Sequence, residues 1–74
     1  MEDGIYVNAR LALESALALD DEDVTVNVLW ARLMTLMGRF DEARGAWQRV
    51  KQLDRGGSYG REAVSALRQL PSGK

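Results

Sequence analysis

The sequence predicts an all-α fold of short antiparallel helices, and three observations carry this prediction. Apolar residues recur at intervals of three and four in four separate segments, which is the periodicity of helices with one buried face. Glycines interrupt these segments at Gly38 and at Gly56 and Gly57, and the single proline, Pro71, follows the last segment. The chain also resembles itself when it is shifted so that Gly4 aligns with Gly38.

Composition narrows the classes of function. The 74 residues are 46% hydrophobic and 28% charged, which is typical of one small globular domain or part of one. The chain contains no cysteine and no histidine, which excludes disulfides, thiolate chemistry and imidazole acid–base catalysis. No glycine-rich phosphate loop is present in the sequence. We therefore expect a non-catalytic protein without a cofactor or a metal ion.

The first helix is predicted at residues 5–19. One face of it carries an apolar residue every third or fourth position: Ala9, Leu13, Ala16 and Leu19. The acidic run at residues 20–23 ends this helix and supplies an N-cap for the next. The run lacks the alternating spacing, turn glycine and distal glutamate of a calcium loop, so we interpret it as a solvated turn.

The second helix begins near residue 24 and has the longest apolar stripe in the sequence. Its members are Val26, Leu29, Trp30, Leu33, Met34 and Met37. Val28 and Leu36 lie off this stripe, which predicts that the helix is buried on more than one side. Gly38 is placed to end the helix as the residue after its C-cap.

Two further helices are predicted after Gly38. The third runs from about residue 41 to 53, with an apolar face of Ala43, Ala46, Trp47, Val50 and Leu53. The fourth, at residues 58–70, begins at a Ser58 cap and has an apolar face of Ala63, Val64, Leu67 and Leu70. Residues 71–74 are predicted to form a tail. Both tryptophans lie on apolar faces, which favours core packing over ligand stacking.

An internal repeat is the most informative feature of the chain. Of nine aligned pairs, six are identical and the other three remain apolar. The pairs are Gly4/Gly38, Tyr6/Phe40, Ala9/Ala43, Arg10/Arg44, Ala12/Ala46, Leu13/Trp47, Ala16/Val50, Leu19/Leu53 and Asp20/Asp54.

The period of the repeat and several motifs resemble the tetratricopeptide repeat family over nearly the whole chain. Repeats of that family are about 34 residues long, which is also the spacing of these pairs. The motifs are Trp30, Ala31 and Met34 in the first helix of a repeat, residues 38–43 in the turn, and Ala43, Trp47, Val50 and Leu53 in the second helix. The chain departs from the family at Asn27, where tryptophan is frequent, and at Asp21 and Arg55, where proline is usual.

The resemblance implies stacked helical hairpins, as in a fragment of an α-solenoid. Residues 5–19 would be the second helix of one repeat, residues 24–57 a full repeat, and residues 58–70 a terminal helix. The 74-residue chain would then hold about one and a half repeats plus that helix.

The resemblance also implies a module for protein–protein interaction. It places a groove on the first helix of the full repeat, where a helix or peptide of a protein partner would bind. The residues expected to line this groove are Thr25, Val28, Arg32, Thr35 and Leu36. An arginine among valine, leucine and threonine suits an apolar peptide that carries one acid.

A narrower resemblance arises in the second half of the chain. The spacing of Ala43, Trp47 and Val50, followed by Ala63 and Leu67, is similar to the soluble repeat domain of a bacterial c-type cytochrome biogenesis subunit. That resemblance implies a chaperone for unfolded apocytochrome c in the periplasm. A repeat scaffold in the cytoplasm would explain the same residues.

Charge is distributed unevenly along the chain, which leaves self-association open as a third possible function. Residues 1–23 hold seven acids and one base, a net −6, whereas residues 24–74 hold nine bases and four acids, a net +5. Such a chain is poorly suited to nucleic acid but well suited to self-association. We expect no membrane insertion, because the apolar runs are short. A weak homodimer would use the first helix, through Leu11, Leu17 and Ala18.

Overall fold

The computed structural model describes residues 3–71 as four helices joined by short turns. They are α1 (Asp3–Leu19), α2 (Val24–Leu36), α3 (Phe40–Leu53) and α4 (Ser58–Gln69). Within residues 3–71 there is no β-strand, so the predicted all-α class is confirmed. Of the predicted tail, only Pro71 lies within the described residues.

Each helix packs against its neighbours in the chain. α2 lies between α1 and α3, and α3 lies between α2 and α4. The molecule measures 36 × 32 × 17 Å. Its thinnest dimension is less than two helix diameters of about 10–12 Å each, so every helix exposes one side to solvent.

The core lies where α2, α3 and α4 meet. Its buried members are Val28, Ala31, Leu33, Met34, Ala43, Ala46, Trp47, Val50 and Ala63. Trp47 is only 3% exposed, which confirms that it packs in the core, and Trp30 packs half-buried against it. The alanines have short side chains, which lets neighbouring helices approach closely. Between Gly4 and Leu19, α1 contributes no buried residue.

For several apolar side chains, the exposure in the structure differs from what the helix periodicity predicts. Leu19, Leu29 and Val64 were predicted on buried faces, but they are 90%, 44% and 39% exposed. Val28, which lies off the main stripe of α2, is 1% exposed, and this confirms that α2 is buried on more than one side, as its sequence predicts. The flat arrangement explains the exposure of Leu19, Leu29 and Val64, because it leaves one side of each helix uncovered and so narrows the buried face.

The predicted N-cap of α2 is confirmed. The Asp23 carboxylate accepts a hydrogen bond from the backbone N–H of Val26 at 3.2 Å. Earlier in the same turn, the Asp20 carboxylate accepts one from the backbone N–H of Glu22 at 3.0 Å. Carboxylates at a helix N-terminus satisfy free N–H groups and also interact favourably with the helix dipole.

Asn27 ties the same turn to α2 from inside. This side chain is 5% exposed, and its amide group donates to the carbonyl oxygens of Asp21 at 3.0 Å and Asp23 at 2.9 Å. A tryptophan here would have filled volume, whereas asparagine satisfies two turn carbonyls. The departure from the family pattern at this position is thus an exchange of packing for hydrogen bonds.

The turn between α2 and α3 depends on Gly38, as its position predicts. Gly38 has a φ of 77°, a left-handed conformation that favours glycine. Its N–H donates to the carbonyl of Thr35 at 3.1 Å, and the N–H of Arg39 donates to the carbonyl of Met34 at 2.9 Å. This pair of hydrogen bonds forms a Schellman motif, which satisfies the last free carbonyls of α2.

The start of α4 differs from the prediction. Gly57 is the N-cap rather than Ser58, and no side chain at the cap position hydrogen-bonds to the helix. The Asp54 carboxylate takes that role, because it accepts from the N–H of Tyr59 at 3.0 Å and of Gly60 at 3.2 Å. The end of α3 and the start of α4 therefore lie very close together.

Two glycines on adjacent helices test this close approach. Gly60 is buried, and a Cβ added there would collide with the backbone carbonyl oxygen of Asp54. Gly45 is exposed within α3, with nothing within 4 Å of an added Cβ. We expect Gly60→Ala to lower the free energy of unfolding by about 1–3 kcal/mol. Gly45→Ala should raise it by about 0.5–1 kcal/mol, because alanine is the better helix former.

Urea denaturation followed by circular dichroism measures both values. The described contact between α3 and α4 would be contradicted if Gly60→Ala were as stable as the wild type.

Candidate functional site

A groove of about 550 Å³ lies between the C-terminal halves of α2 and α4. Its lining is mostly apolar and consists of Arg32, Thr35, Leu36, Phe40, Trp47, Ala66, Gln69, Leu70 and Pro71. Leu36 is 68% exposed, so a large apolar side chain stands open to solvent at the edge of the groove. Concave, mainly apolar surfaces with few polar groups are typical of binding sites.

An ion pair joins the two helices that border the groove. The Arg32 guanidinium donates through Nε to Glu62 Oε2 and through Nη2 to Glu62 Oε1, each at 2.8 Å. These hydrogen bonds raise the pKa of Arg32 and lower the pKa of the Glu62 carboxyl from their usual values. The bidentate geometry fixes the position of both side chains more firmly than a single contact would.

The floor of the groove is held by Trp47. Its indole Nε1–H donates to the Thr35 hydroxyl at 3.2 Å, and that hydroxyl donates to the backbone carbonyl of Ala31 at 2.8 Å. The indole ring thus fills the core, while one hydrogen bond fixes its polar edge against α2.

Arg44 on α3 fixes one wall of the groove from behind. Its Nη2 donates to the backbone carbonyl of Pro71 at 2.7 Å, and its Nη1 donates to Asp41 at 3.4 Å. The first contact binds the segment after α4 to α3. Leu70 and Pro71 are thereby held as one wall of the groove.

Three of the five residues predicted to line the groove meet there. Arg32, Thr35 and Leu36 lie together at its edge and floor. Val28 does not, because it points into the core and is 1% exposed, so the prediction for this residue is wrong. Thr25 is exposed in the first turn of α2 but does not line the groove.

The sequence reasoning missed the side of the groove that α3 and α4 supply. The missed lining residues are Phe40, Trp47, Ala66, Gln69, Leu70 and Pro71, together with Glu62 as the partner of Arg32. One signal was present for Glu62. It follows Arg32 by nearly one repeat, which places it about one turn earlier on the next helix of the same kind.

The residues predicted for self-association fall on two different sides of α1. Leu11 is 50% exposed and Ala18 is exposed. Leu17 was expected to face water, but it is half-buried and borders a shallow groove with Asn27 and Trp30 of α2. The expectation that Leu17 faces water is therefore wrong, since this side of α1 faces its neighbour, whereas the part of Leu17 in self-association stays a prediction.

Across residues 3–71, no three acidic side chains converge in a way that would hold a metal ion. None of the helices in that range combines the length and apolarity required to cross a bilayer.

Four helices in consecutive hairpins, an internal repeat and a groove between alternate helices define a helical-repeat protein. The family model of the tetratricopeptide repeat matches residues 1–70, and the chain belongs to this family. Tetratricopeptide repeats are generally non-catalytic scaffolds for protein partners. No curated protein and no solved structure matches the chain. The narrower resemblance to a cytochrome c biogenesis subunit stays a prediction.

The Arg32–Glu62 pair predicts a specific dependence of stability on pH. Because the pKa of Glu62 is lowered in the folded state, its contribution is complete above the unfolded pKa and is lost as pH falls through the folded pKa. The pair is partly exposed, so Glu62→Gln should cost at most about 1 kcal/mol at pH 7. The stabilities of wild type and Glu62→Gln should converge in acid.

Urea titrations at several pH values between neutral and acid measure this difference, and Arg32→Gln completes a double-mutant cycle. A difference between wild type and Glu62→Gln that stayed constant down to the lowest pH would contradict the role given to this pair.

Proposed function

We propose that this chain is a non-catalytic binding module whose groove takes a short protein segment carrying a bulky apolar side chain. The observation that carries the proposal is the exposed Leu36 beside the apolar wall of Phe40 and Leu70. These side chains line an open groove rather than a closed core. A partner that covers them removes apolar surface from water on both sides.

The size of the groove limits the affinity. A volume of about 550 Å³ has room for one or two large side chains of a partner. Burial of each one contributes about 1.5–3 kcal/mol, and the cost of ordering the partner offsets part of that gain. A dissociation constant between tens of micromolar and the millimolar range is the expected result.

The ion pair changes the chemistry expected of the partner. From the sequence, Arg32 was expected to attract an acid on the bound peptide. In the structure two donors of Arg32 already bind Glu62, so its charge is matched within the chain. The partner therefore needs an apolar anchor but not a carboxylate, and the pair forms a polar rim beside the apolar groove.

The same pair argues against catalysis at this site. Glu62 is the acidic residue bound to Arg32 at the edge of the groove, and the hydrogen bonds from Arg32 lower its pKa. A carboxylate with a lowered pKa is a poor general base near neutral pH, because catalytic carboxylates usually have raised pKa values. Neither histidine nor cysteine is present to replace it.

Selection from a random peptide library displayed on phage tests the proposal. We expect enriched peptides to share a leucine, phenylalanine or methionine anchor and no conserved acid. Leu36→Glu should weaken binding of a selected peptide by about tenfold or more, because it places a charge in the apolar contact. Leu29→Glu is the matched control, since Leu29 lies on the same helix, is 44% exposed and is outside the groove.

Isothermal titration calorimetry with one selected peptide measures both affinities, and thermal melts check that both variants fold. The proposal fails if no apolar anchor is enriched, or if Leu36→Glu binds as tightly as Leu29→Glu.

A further inference from the structure

A second groove, of about 490 Å³, lies between the end of α3 and the first two turns of α4. Its charged side chains are all cationic and exposed, and they surround one apolar residue, Val64, which is 39% exposed. Within residues 3–71, no acidic residue lines this groove. Below, the basic groove means the surface lined by Lys51, Arg55, Gly56, Gly60, Arg61 and Val64.

The cations of the basic groove are not neutralised by the described part of the chain. Other arginines pair with acids at 2.6–3.9 Å: Arg10, Arg32, Arg39, Arg44 and Arg49. Among residues 3–71, Lys51, Arg55 and Arg61 form no such ion pair. The acid next to them in sequence, Asp54, binds backbone N–H groups of α4 and does not line the groove. Three positive charges therefore face solvent together.

The internal repeat allows a comparison with a groove that is already occupied. A shift of one repeat aligns Lys51, Arg55, Arg61 and Val64 with four residues of the shallow groove beside α3: Leu17, Asp21, Asn27 and Trp30. In the shallow groove, Arg49 of α3 lies 3.9 Å from Asp21. The basic groove has Arg55 where the shallow groove has Asp21, so the charge at this position is reversed. Its occupant is therefore expected to carry an acid where α3 carries Arg49.

A second aligned position indicates how polar the occupant must be. Gly45 and Ala46 of α3 border the shallow groove beside Asn27, which is 5% exposed. Asn27 tolerates this burial because its amide group donates to two backbone carbonyls. Arg61 takes the same position in the basic groove and is exposed. Covering a guanidinium with small apolar residues would be costly, so the occupant must supply carboxylates.

We propose that the basic groove binds an acidic segment of a protein partner, in which two or more carboxylates flank one apolar side chain. Arg55, Arg61 and Lys51 bind the carboxylates. Arginine suits this role because its guanidinium can bind a carboxylate through two parallel hydrogen bonds. Val64 contacts the apolar side chain. Binding here does not depend on what the groove between α2 and α4 binds.

Charge on the neighbouring turn favours a short protein segment over a nucleic acid. Asp21 lies 3.9 Å from Arg49, which places the acidic run at residues 20–23 beside the C-terminal half of α3. All four carboxylates of that run are exposed. A nucleic acid that extended beyond the basic groove would be repelled by them, because its affinity depends on cations along the whole contact. A short acidic segment needs only the basic groove itself.

Nuclear magnetic resonance titration of the full 74-residue chain tests the proposal. The probe is a synthetic peptide in which one leucine stands between two pairs of glutamates. Exposed ion pairs are individually weak, so we expect a dissociation constant of about 0.1–1 mM in about 20 mM salt. The amide signals of Gly56 and Gly60 should shift, whereas that of Gly38, in the turn between α2 and α3, should not. About 200 mM salt should weaken binding at least about threefold.

A pair of matched variants separates the groove from the general charge of the chain. Arg61→Gln should weaken binding at least about threefold, because it removes one carboxylate partner. Arg68→Gln is the control, since Arg68 is exposed on the same helix, lies outside the groove and removes the same charge. Lys51→Gln combined with Arg61→Gln should weaken binding at least about tenfold. The substituted side chains are exposed, and circular dichroism melts check that the variants fold.

Several results would overturn the proposal. They are the absence of any shift at about 2 mM peptide, equal binding of a peptide with glutamine in place of glutamate, and equal weakening by Arg68→Gln and Arg61→Gln. Tighter binding of a short single-stranded RNA or of inorganic phosphate at the same signals would assign the groove to phosphate instead. Sedimentation equilibrium at low salt covers the remaining occupant. An average mass above 8.2 kDa that Arg61→Gln restores to the monomer would show the acidic run of a second copy in the groove.

Discussion

The burial of one indole ring connects the parts of this small protein. Trp47 is 3% exposed in α3, donates its N–H to Thr35 of α2, and borders the groove beside α4. Its side chain therefore contributes to the core, to the α2–α3 hairpin and to the groove floor. Because few residues of the chain are buried, a large fraction of the packing energy depends on this position.

Because the helices contact each other closely through small residues, the stability of the fold depends strongly on the turns. Alanine and glycine at the helix crossings bring backbones together, but these residues bury little apolar area of their own. Stability then depends on hydrogen bonds that fix the ends of the helices. Asn27 and Asp23 hold the start of α2, Gly38 its end, and Asp54 the start of α4. Each of these positions satisfies backbone groups that would otherwise be free.

Sequence reasoning predicted the fold well and the site only in part, for a physical reason. Helix periodicity and the internal repeat depend on local spacing, which the sequence displays directly. Which of two adjacent residues is buried, as with Val28 and Leu29, depends on a small rotation of α2 about its axis. That rotation is set by the shapes of the surrounding helices. Arg32 was identified as a site residue, but its bond to Glu62 depends on how α2 and α4 pack.

The groove between α2 and α4 combines an apolar wall with a polar rim. The repeat architecture leaves this groove open, because each helix has neighbours only on the sides that face adjacent helices.

The measurement that tests this account most directly is the stability of Trp47 variants. Trp47→Ala should lower the free energy of unfolding by about 3–5 kcal/mol, which is most of what a domain of this size has. Trp47→Phe should keep the fold but lose about 1 kcal/mol or more, since it retains an aromatic ring and leaves the Thr35 hydroxyl without the indole donor. If Trp47→Ala retained a cooperative melt with less than about 1 kcal/mol lost, the indole would not be the central packing element described here.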